Sequence, residues 1–386
     1  MQVRNEAKPR AKVGGYVAAL HALKDDRLRA LGPRGGIDFT SNDYLALASA
    51  PRMKNAICAA LEAGTPVGAG GSRLLRGNCE EHEALEAEAA QFFGTETALF
   101  FGGGYVANVA VLTTLPQRDD LLVLDSLVHA SIHEGARASR ADFRISEHND
   151  PLSVEDTIRE WRTNGGVGRV WIVVESLYSM DGDFAPLKDL VVITDRYDAF
   201  LMVDEAHATG VYGERGRGLT APYERRENVL VLHTCGKALG AAGALVTTVR
   251  ALRDFLVNRC RPFIFATAPS PLMAVAVREA LLILQEEPER QKRLADLVAF
   301  THRELRVRGL KSPSDSQIVP YIVGENARAI RLASALQARS FDIRGIRPPT
   351  VPAGTARLRI SLTLNVGEDD VRAMLDALAE ETRLKS

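Results

Sequence analysis

Two short polar segments follow runs of apolar residues, and their residue types suit one kind of cofactor chemistry. Asp204 and His207 follow the apolar run 200–202, and Lys237 follows the apolar run 229–232. Open α/β sheets bind ligands beyond the carboxyl ends of their strands, where both segments should lie. An aspartate there can pair with a pyridinium nitrogen, and a lysine can form a Schiff base with an aldehyde. The pair therefore indicates a pyridoxal phosphate enzyme.

The surroundings of Lys237 separate this interpretation from two simpler ones. A lysine taken at random is usually solvated, but this one follows Gly236 in a tight turn after a predicted buried strand. A nucleotide phosphate loop does not fit, because Ala238 stands where a serine or threonine would bind magnesium. Asp204 and His207 alone fit equally well a capping carboxylate with a backbone-bonded histidine. Only together with Lys237 do they favour a Schiff-base site.

His129 and His133 are four residues apart, a spacing that suits zinc on a helix. Zinc is disfavoured, because no third ligand is identifiable in the sequence. An imidazole is flat and can stack on a heteroaromatic ring, and His129 comes first after the predicted strand 121–124. Stacking of His129 on a cofactor is the favoured hypothesis.

Two glycine-rich segments are candidates for binding an anion. Residues 102–104 join a predicted strand, 97–101, to a helical pattern, and free N–H groups at such a junction can bind phosphate. An ordinary tight turn is the alternative. Residues 68–73 follow no strand and lack the dinucleotide-binding spacing, so they predict only a loop near the site.

A proline-rich segment holds Arg347 before Pro348, Pro349 and Pro352. Proline fixes the backbone, so the arginine is presented rigidly. A guanidinium fork suits the carboxylate of an amino acid, although an exposed ion pair is the commoner fate of an arginine.

The composition excludes several classes of partner. The 386 residues carry 48 basic and 49 acidic side chains, so no electrostatic footprint for nucleic acid or an anionic membrane is present. The four cysteines form no C-x-x-C pair, and no apolar stretch is long enough to span a bilayer. A cytoplasmic protein is expected.

The order of predicted elements indicates an α/β fold with a second, smaller part. We predict an N-terminal arm over residues 1–50 with a helix at 16–23, a large domain over 51–280 and a small α+β domain over 281–386. Apolar runs alternate with helical patterns, which favours a mostly parallel sheet with crossover helices. The predicted strands of the large domain are 97–101, 121–124, 169–174, 200–203, 229–232 and 244–248. Those of the small domain are 318–322, 341–346 and 358–362. The predicted helices include 80–93, 294–305, 327–339 and 368–380.

The chain resembles the α-oxoamine synthases, which are fold type I pyridoxal phosphate enzymes. The resemblance covers nearly the whole chain and implies a seven-stranded type of sheet, a pyridoxal 5'-phosphate cofactor and a homodimer. It is carried by seven motifs in chain order: Ser41-Asn42-Asp43-Tyr44-Leu45, Gly70-Gly71-Ser72-Arg73, His129-Ala130-Ser131, Ser179-Met180-Asp181-Gly182-Asp183, Asp204-Glu205-Ala206-His207-Ala208-Thr209-Gly210, Thr234-Cys235-Gly236-Lys237 and the run 347–359.

The resemblance also implies roles for individual residues. Lys237 would hold the cofactor, Asp204 would pair with its ring nitrogen, and His129 would stack on the ring. The phenolic oxygen would face His207 and Ser179. The phosphate would be held by Gly104, Tyr105, Thr234 and, across the dimer interface, Thr267. The substrate carboxylate would be bound by Asn42 and Arg347, with Thr350 beside them. An arginine near the acyl chain could be any of Arg27, Arg29 and Arg34.

The implied reaction joins an amino acid to an acyl thioester with loss of carbon dioxide. The run 345–357 is most similar to family members of biotin synthesis, which implies L-alanine and a pimeloyl group on coenzyme A or acyl carrier protein. A glycine-using relative such as a 2-amino-3-ketobutyrate ligase is the nearest alternative. An aminotransferase of the same fold and a non-catalytic cofactor-binding protein are two further alternatives.

Overall fold

The computed structural model of the protein describes residues 35–383 together with Gly15. The helix predicted at 16–23 and the three candidate arginines Arg27, Arg29 and Arg34 lie outside these residues. From Ile37 onward the chain clusters as one compact unit. The division into an arm, a large domain and a small domain stays a prediction.

Apolar residues at helical spacing and proline in several first turns define the helices. In chain order they are α1 (Pro51–Glu62), α2 (Glu80–Phe93), α3 (Gly104–Thr114), α4 (Ala130–Ala138), α5 (Pro151–Thr163), α6 (Leu187–Arg196), α7 (Arg250–Arg259), α8 (Arg261–Ile264), α9 (Pro271–Glu286), α10 (Glu289–Val307), α11 (Asn326–Ala338) and α12 (Glu368–Arg383). A short 3₁₀ helix spans Glu214–Gly216.

The strands are short and many are completely buried. In chain order they are β1 (Ile37–Asp38), β2 (Thr97–Phe101), β3 (Leu121–Asp125), β4 (Asp142–Ser146), β5 (Val170–Glu175), β6 (Phe200–Asp204), β7 (Val229–Thr234), β8 (Ala244–Thr248), β9 (Ile318–Gly324), β10 (Phe341–Asp342), β11 (Arg344–Ile346) and β12 (Ala356–Ser361).

The central sheet has seven strands in the order β2-β8-β7-β6-β5-β3-β4. Its strands pair in parallel except β8, which runs antiparallel to both β2 and β7. The predicted α/β fold with a mostly parallel sheet is confirmed. Continuous apolar runs such as β5 suit this sheet, because crossover helices cover both of its faces.

Alternate residues of the central strands enter different hydrophobic cores. Leu122 and Leu124 of β3 pack with α3 and α4 in one core. Leu121 and Val123 of the same strand pack with α5 and α6 on the opposite face. Helices therefore pack against both faces of the sheet, and this packing holds the ends of its strands in place.

The seventh strand of this sheet, β4, was missing from the predicted strands. It is an edge strand beside β3, and Phe143 and Ile145 on it are 36% and 46% exposed. Because its polar and apolar residues share a largely exposed surface, its sequence lacks the apolar run that marks the central strands.

The C-terminal part carries a second sheet in the order β11-β12-β9, with antiparallel pairing throughout. The single strand predicted at 341–346 is divided in two at Ile343. Its first part, β10, pairs in parallel with β1, and its second part, β11, pairs with β12. The segment before α1 therefore joins the C-terminal elements through β1. Among residues 35–383 no helix is long and apolar enough to cross a membrane.

Candidate active site

The parallel strands of the central sheet end in polar residues at one edge. Asp125, Glu175, Asp204 and Thr234 are the last residues of β3, β5, β6 and β7. Glu175 and Asp204 are direct neighbours in the register of β5 and β6. This is the edge at which the sequence predicts a ligand.

A cavity of about 300 Å³ opens at this edge, and Lys237 lies in its wall. The lysine follows β7 in a turn, so no helix carries its side chain away from the sheet. The cavity is lined by Thr40, Asn42, His129, Ser179, Met180, His207, Lys237, Arg344, Ile346 and Arg359.

The amine of Lys237 lies 2.7 Å from Nε2 of His207, and Nδ1 of the same ring lies 2.6 Å from the hydroxyl of Tyr44. Burial, reinforced by the charge of Lys237, lowers the pKa of His207 well below its usual value. The ring is therefore neutral at physiological pH. Burial also lowers the pKa of Lys237 to about 8, against the attraction of Asp204 and Glu175.

The neighbouring bonds define the tautomer of His207. Tyr44 donates its hydroxyl hydrogen to Oδ1 of Asn42 at 3.0 Å, so the same hydroxyl must accept from Nδ1 of His207. Nε2 is then the unprotonated nitrogen and accepts from the amine of Lys237. The main-chain oxygen of His207 accepts from Nε2 of Gln317 at 2.8 Å, which fixes the ring's backbone.

A buried arginine of the C-terminal sheet extends this hydrogen-bond network. Arg359 of β12 donates from Nη2 to Oδ1 of Asn42 at 3.0 Å and from Nε to the main-chain oxygen of Ser179 at 2.6 Å. Its Nη1 donates to the hydroxyl of Ser361 at 2.7 Å. Because Arg359 is only 7% exposed, these partners hold its charge at the wall of the cavity.

A second chain of bonds connects Asp204 to His129. Asn108 of α3 donates from Nδ2 to Oδ2 of Asp204 at 2.7 Å and to the hydroxyl of Ser131 at 2.9 Å. That hydroxyl lies 2.8 Å from Nδ1 of His129, which also accepts from the backbone N–H of Ser131. Burial lowers the pKa of His129, so the neutral ring carries its proton on Nε2.

Glu175 supplies a second carboxyl group beside Asp204. Burial, followed by the charge of Asp204, raises the pKa of Glu175 well above its usual value. Oε2 of Glu175 accepts the N–H of Ser179 at 3.2 Å. A protonated Glu175 leaves the negative charge at this edge to Asp204.

The start of α3 has the form of a phosphate cradle. Gly103 precedes the helix, and a Cβ on Gly104 would lie 3.3 Å from Oγ1 of Thr234. The missing side chain therefore lets the helix N-terminus approach that hydroxyl closely, and both offer hydrogen-bond donors to an anion. Tyr105 meets the ring of His129 edge-on, with 6.3 Å between the ring centres.

These residues fit pyridoxal phosphate. An amine, a carboxylate, a flat imidazole and a helix N-terminus surround one edge of the sheet, and each matches a part of that cofactor. Five of the predicted site residues line the cavity: Asn42, His129, Ser179, His207 and Lys237. Asp204, Gly104, Tyr105 and Thr234 lie outside the lining but contact Asn108, His129 or one another at the same edge of the sheet.

Three predicted residues belong neither to the lining of this cavity nor to the residues placed beside it above. Arg347 and Thr350 belong to the proline-rich turn that follows β11, and Thr267 is exposed after α8. Their predicted roles stay predictions. Among residues 35–383 no group of three or more His, Cys, Asp or Glu side chains is arranged to hold a metal.

No individual role is predicted from the sequence for Tyr44, Asn108, Arg344 or Arg359. A signal existed for Arg359, because it alternates with apolar residues in the predicted strand 358–362, and a buried arginine requires partners. Tyr44 and Asn108 offered no comparable signal, because the partners that bring them to the site, His207 and Asp204, are 163 and 96 positions away in the sequence.

Comparisons with known proteins show which proteins this chain is similar to. A family model described as aminotransferase class I and II matches residues 34–378. The 8-amino-7-oxononanoate synthase of Chromobacterium violaceum is 41% identical over 365 residues, which cover 94% of this chain and 93% of that protein. That of Geobacter sulfurreducens is 43% identical over 345 residues, which cover 88% and 87%.

Solved structures with the same fold are also found. A serine palmitoyltransferase from S. paucimobilis with a bound PLP-myriocin aldimine superposes with a TM-score of 0.87 at 26% identity, covering 96% of this chain and 97% of that one. The 8-amino-7-oxononanoate synthase of Francisella tularensis superposes with a TM-score of 0.77 at 29% identity, covering 91% and 98%.

Proposed function

Because this chain belongs to the α-oxoamine synthases, a family of pyridoxal phosphate-dependent acyltransferases, we propose that it condenses L-alanine with a pimeloyl thioester. The products would be 8-amino-7-oxononanoate, carbon dioxide and the free thiol carrier, a step of biotin biosynthesis. Pyridoxal phosphate, when bound, supplies an electron sink for the carbanion of the amino acid.

The observation that carries the proposal is the buried amine of Lys237 against a neutral His207. An amine with a pKa of about 8 has a substantial uncharged fraction slightly above neutral pH, so it is suited both to capture an aldehyde and to accept a proton. Lys237 would hold the cofactor and then take the α-proton of alanine. Asp204 would pair with the ring nitrogen.

The amino-acid carboxylate would be bound by Asn42 and Arg359. Asn42 uses Oδ1 for both Tyr44 and Arg359, so its amide N–H groups remain for a carboxylate. Arg359 has five N–H donors and spends three on protein groups. The two residues together can orient the carboxylate for loss as carbon dioxide.

His129 would stack on the cofactor and act on the acyl donor. Its neutral ring carries the proton on Nε2, because Nδ1 accepts from Ser131. A donor there can stabilise negative charge on the thioester oxygen during attack. His207 and Ser179 would face the phenolic oxygen of the cofactor.

The phosphate would be bound by the start of α3, where the main-chain groups of Gly104 and Tyr105 lie beside the hydroxyl of Thr234. We propose a homodimer in which Thr267 of the partner subunit completes this site. The exposure of Thr267 is compatible with such a role.

One experiment tests the proposed function. The purified protein, loaded with pyridoxal phosphate, is offered L-alanine, glycine or L-serine with acyl thioesters of graded length, and thiol and carbon dioxide release are followed together. We expect the highest kcat/KM with L-alanine and a pimeloyl thioester. A preference for glycine with acetyl-CoA would instead identify a 2-amino-3-ketobutyrate ligase, and pyridoxamine formation with a keto acid would identify an aminotransferase.

A further inference from the structure

A second arginine, Arg344, lines the cavity, and its hydrogen bonding differs from that of Arg359. Arg344 of β11 stands directly opposite Arg359 of β12 in the antiparallel register, so both side chains leave the small sheet on the same face. Both reach the cavity. The three nitrogens of Arg359 are all bonded to protein groups, whereas the hydrogen bonds of Arg344 within the described chain go only to Asp342.

Asp342 orients Arg344 and leaves part of its fork unused. Nη2 of Arg344 lies 2.9 Å from Oδ1 and 3.2 Å from Oδ2 of Asp342. Asp38 is the register partner of Asp342, but its Oδ1 is bonded to the N–H groups of Thr40 and Ser41. Within residues 35–383, Nε and Nη1 of Arg344 have no hydrogen-bond acceptor. One nitrogen therefore anchors the guanidinium, and the others remain for a ligand with two oxygens.

Two apolar side chains line the same cavity as Arg344. Ile346 lies two residues further along β11, and Met180 belongs to the loop after β5. A methylene chain can pack against these two side chains, whereas a carboxylate at the end of that chain needs a cation or water. Arg359 is engaged with Asn42 and the amino-acid carboxylate, so the remaining cation is Arg344.

We infer that Arg344 binds the distal carboxylate of the acyl donor and so selects a dicarboxylic acyl chain over a methyl-terminated one. The inference rests on the proposed function, because it assigns one end of the proposed acyl substrate to a side chain of this cavity. Arg344 is then a specificity-determining residue, and Asp342 is its positioning residue.

The test compares two acyl chains of equal length on the same carrier. Pimeloyl-CoA and heptanoyl-CoA differ only in a terminal carboxylate against a methyl group. The variants are R344Q, R344K and, as a control for loss of one positive charge, R331Q, since Arg331 is exposed on α11 outside the cavity. Kinetics are measured on the holoenzymes at saturating L-alanine, and the visible spectrum of the bound cofactor checks that each variant is folded and loaded.

R344Q should raise the KM for pimeloyl-CoA by about ten- to a hundredfold, which is the usual cost of losing a hydrogen-bonded charge pair. The kcat, the KM for alanine and all constants for heptanoyl-CoA should stay near those of the wild type. The KM of R344K for pimeloyl-CoA should lie between those of the wild type and R344Q, because lysine keeps the positive charge but lacks the two-nitrogen fork of the guanidinium. R331Q should behave as the wild type.

Equal effects of R344Q on both acyl chains would overturn the inference, because they would place Arg344 against the phosphates of the carrier or in a purely structural role. No effect on either chain would overturn it as well. Calorimetric binding of unreactive thioether analogues of the two acyl donors distinguishes a failure of this inference from a failure of the proposed function. If the wild type turns over neither acyl chain, selective binding of the pimeloyl analogue that R344Q abolishes still supports the inference, and its absence in the wild type refutes it.

Discussion

The amine of Lys237 and Nε2 of His207 are 2.7 Å apart, and the histidine is locked by Tyr44 in the tautomer that accepts from the lysine. The imidazole cannot share the positive charge, because burial first and then the charge of Lys237 lower its pKa. Lys237 is therefore held by an acceptor in a site where its own ammonium form is disfavoured.

The first prediction concerns the pH at which the cofactor-free protein captures pyridoxal phosphate. Capture needs the uncharged amine, and burial lowers the pKa of Lys237 to about 8. The ammonium form, which cannot attack the aldehyde, predominates below this pH, so the rate should rise as pH increases through about 8. Stopped-flow absorbance of the tethered cofactor measures the profile. A midpoint near the ordinary lysine value of 10.5 would show that the amine is solvated.

The second prediction is that K237A abolishes turnover and leaves the fold intact. The change removes both the tether and the base, and a general base alone contributes at least about a hundredfold to the rate. The alanine removes a buried polar group rather than a packed core side chain, so thermal unfolding should stay close to that of the wild type. Thiol release and a melting curve measure the two effects. Ordinary turnover by K237A would exclude Lys237 from the chemistry.

The third prediction concerns Tyr44, whose hydroxyl joins His207 to Asn42. Burial raises the pKa of Tyr44 to about 12, so it stays a neutral donor and acceptor throughout the working range. Y44F should keep the packed ring but release both neighbours. We expect kcat/KM for alanine to fall by about tenfold, as for one lost hydrogen bond in each direction.

The matched control for Tyr44 is Y197F. Tyr197 also bonds through its hydroxyl, to Arg159 and Glu155, but it follows α6 and is not among the residues that line the cavity. Loss of the Tyr197 hydroxyl should lower only the free energy of unfolding, and the steady-state kinetic constants should not change. If Y44F and Y197F gave the same kinetics, the role assigned to Tyr44 would be wrong.

Most of the fold followed from the sequence, because buried parallel strands are continuous apolar runs and their order along the chain is regular. The edge strand β4 did not, since Asp142 and Arg144 alternate with half-exposed apolar residues and give no such run. The split of the strand predicted at 341–346 depends on pairing with β1, about 300 residues earlier. No local pattern encodes that partner.

Site residues could be predicted from sequence patterns alone only where a motif lies at the end of a strand. Lys237, Asp204 and His207 were identified because they follow apolar runs directly. The role of Arg347, where prolines suggested a rigid presentation, stays a prediction, and the two arginines that the structure places in the cavity wall are Arg359 and Arg344. The bond from Arg359 to the main-chain oxygen of Ser179 joins residues 180 positions apart, so only the folded sheet reveals it.

The fourth prediction concerns Asn108, which donates to Asp204 and to Ser131. N108D would place a second carboxyl group 2.7 Å from Oδ2 of Asp204, and two carboxyls so close cannot both stay ionised. The charge opposite the cofactor nitrogen would be shared, and the support of His129 through Ser131 would weaken. Turnover should fall by at least about tenfold while cofactor still binds.

The pH dependence of the cofactor spectrum tests this account of Asn108. A shared proton in N108D should move the titration of the bound cofactor, whereas N108L, which removes the donor without adding a charge, should lower turnover with a smaller shift. Identical spectra in the two variants would show that Asn108 acts by packing alone.

The last prediction concerns His148, which lies between two carboxylates beside the loop after β5. Nδ1 is 2.8 Å from Oδ1 of Asp125 and Nε2 is 2.7 Å from Oδ2 of Asp183. Although burial opposes the charged form, these two hydrogen bonds raise the pKa of His148 to about 10. The charged ring thus ties β3 to the loop that carries Ser179 and Met180 in the cavity wall.

Because this pKa is raised above the unfolded value of 6.5, the stabilisation is fully present below about pH 6.5 and is lost as pH rises through about 10. H148Q should lower the free energy of unfolding by about 1–3 kcal/mol near neutral pH, the cost of hydrogen bonds to a charged group. Above pH 10 the difference from the wild type should shrink. Urea unfolding at both pH values measures it, with H302Q as the control, since His302 bonds to the main-chain oxygen of Ser316 rather than to a carboxylate. A difference that stayed constant across this range would mean that the ring of His148 is neutral in the folded protein.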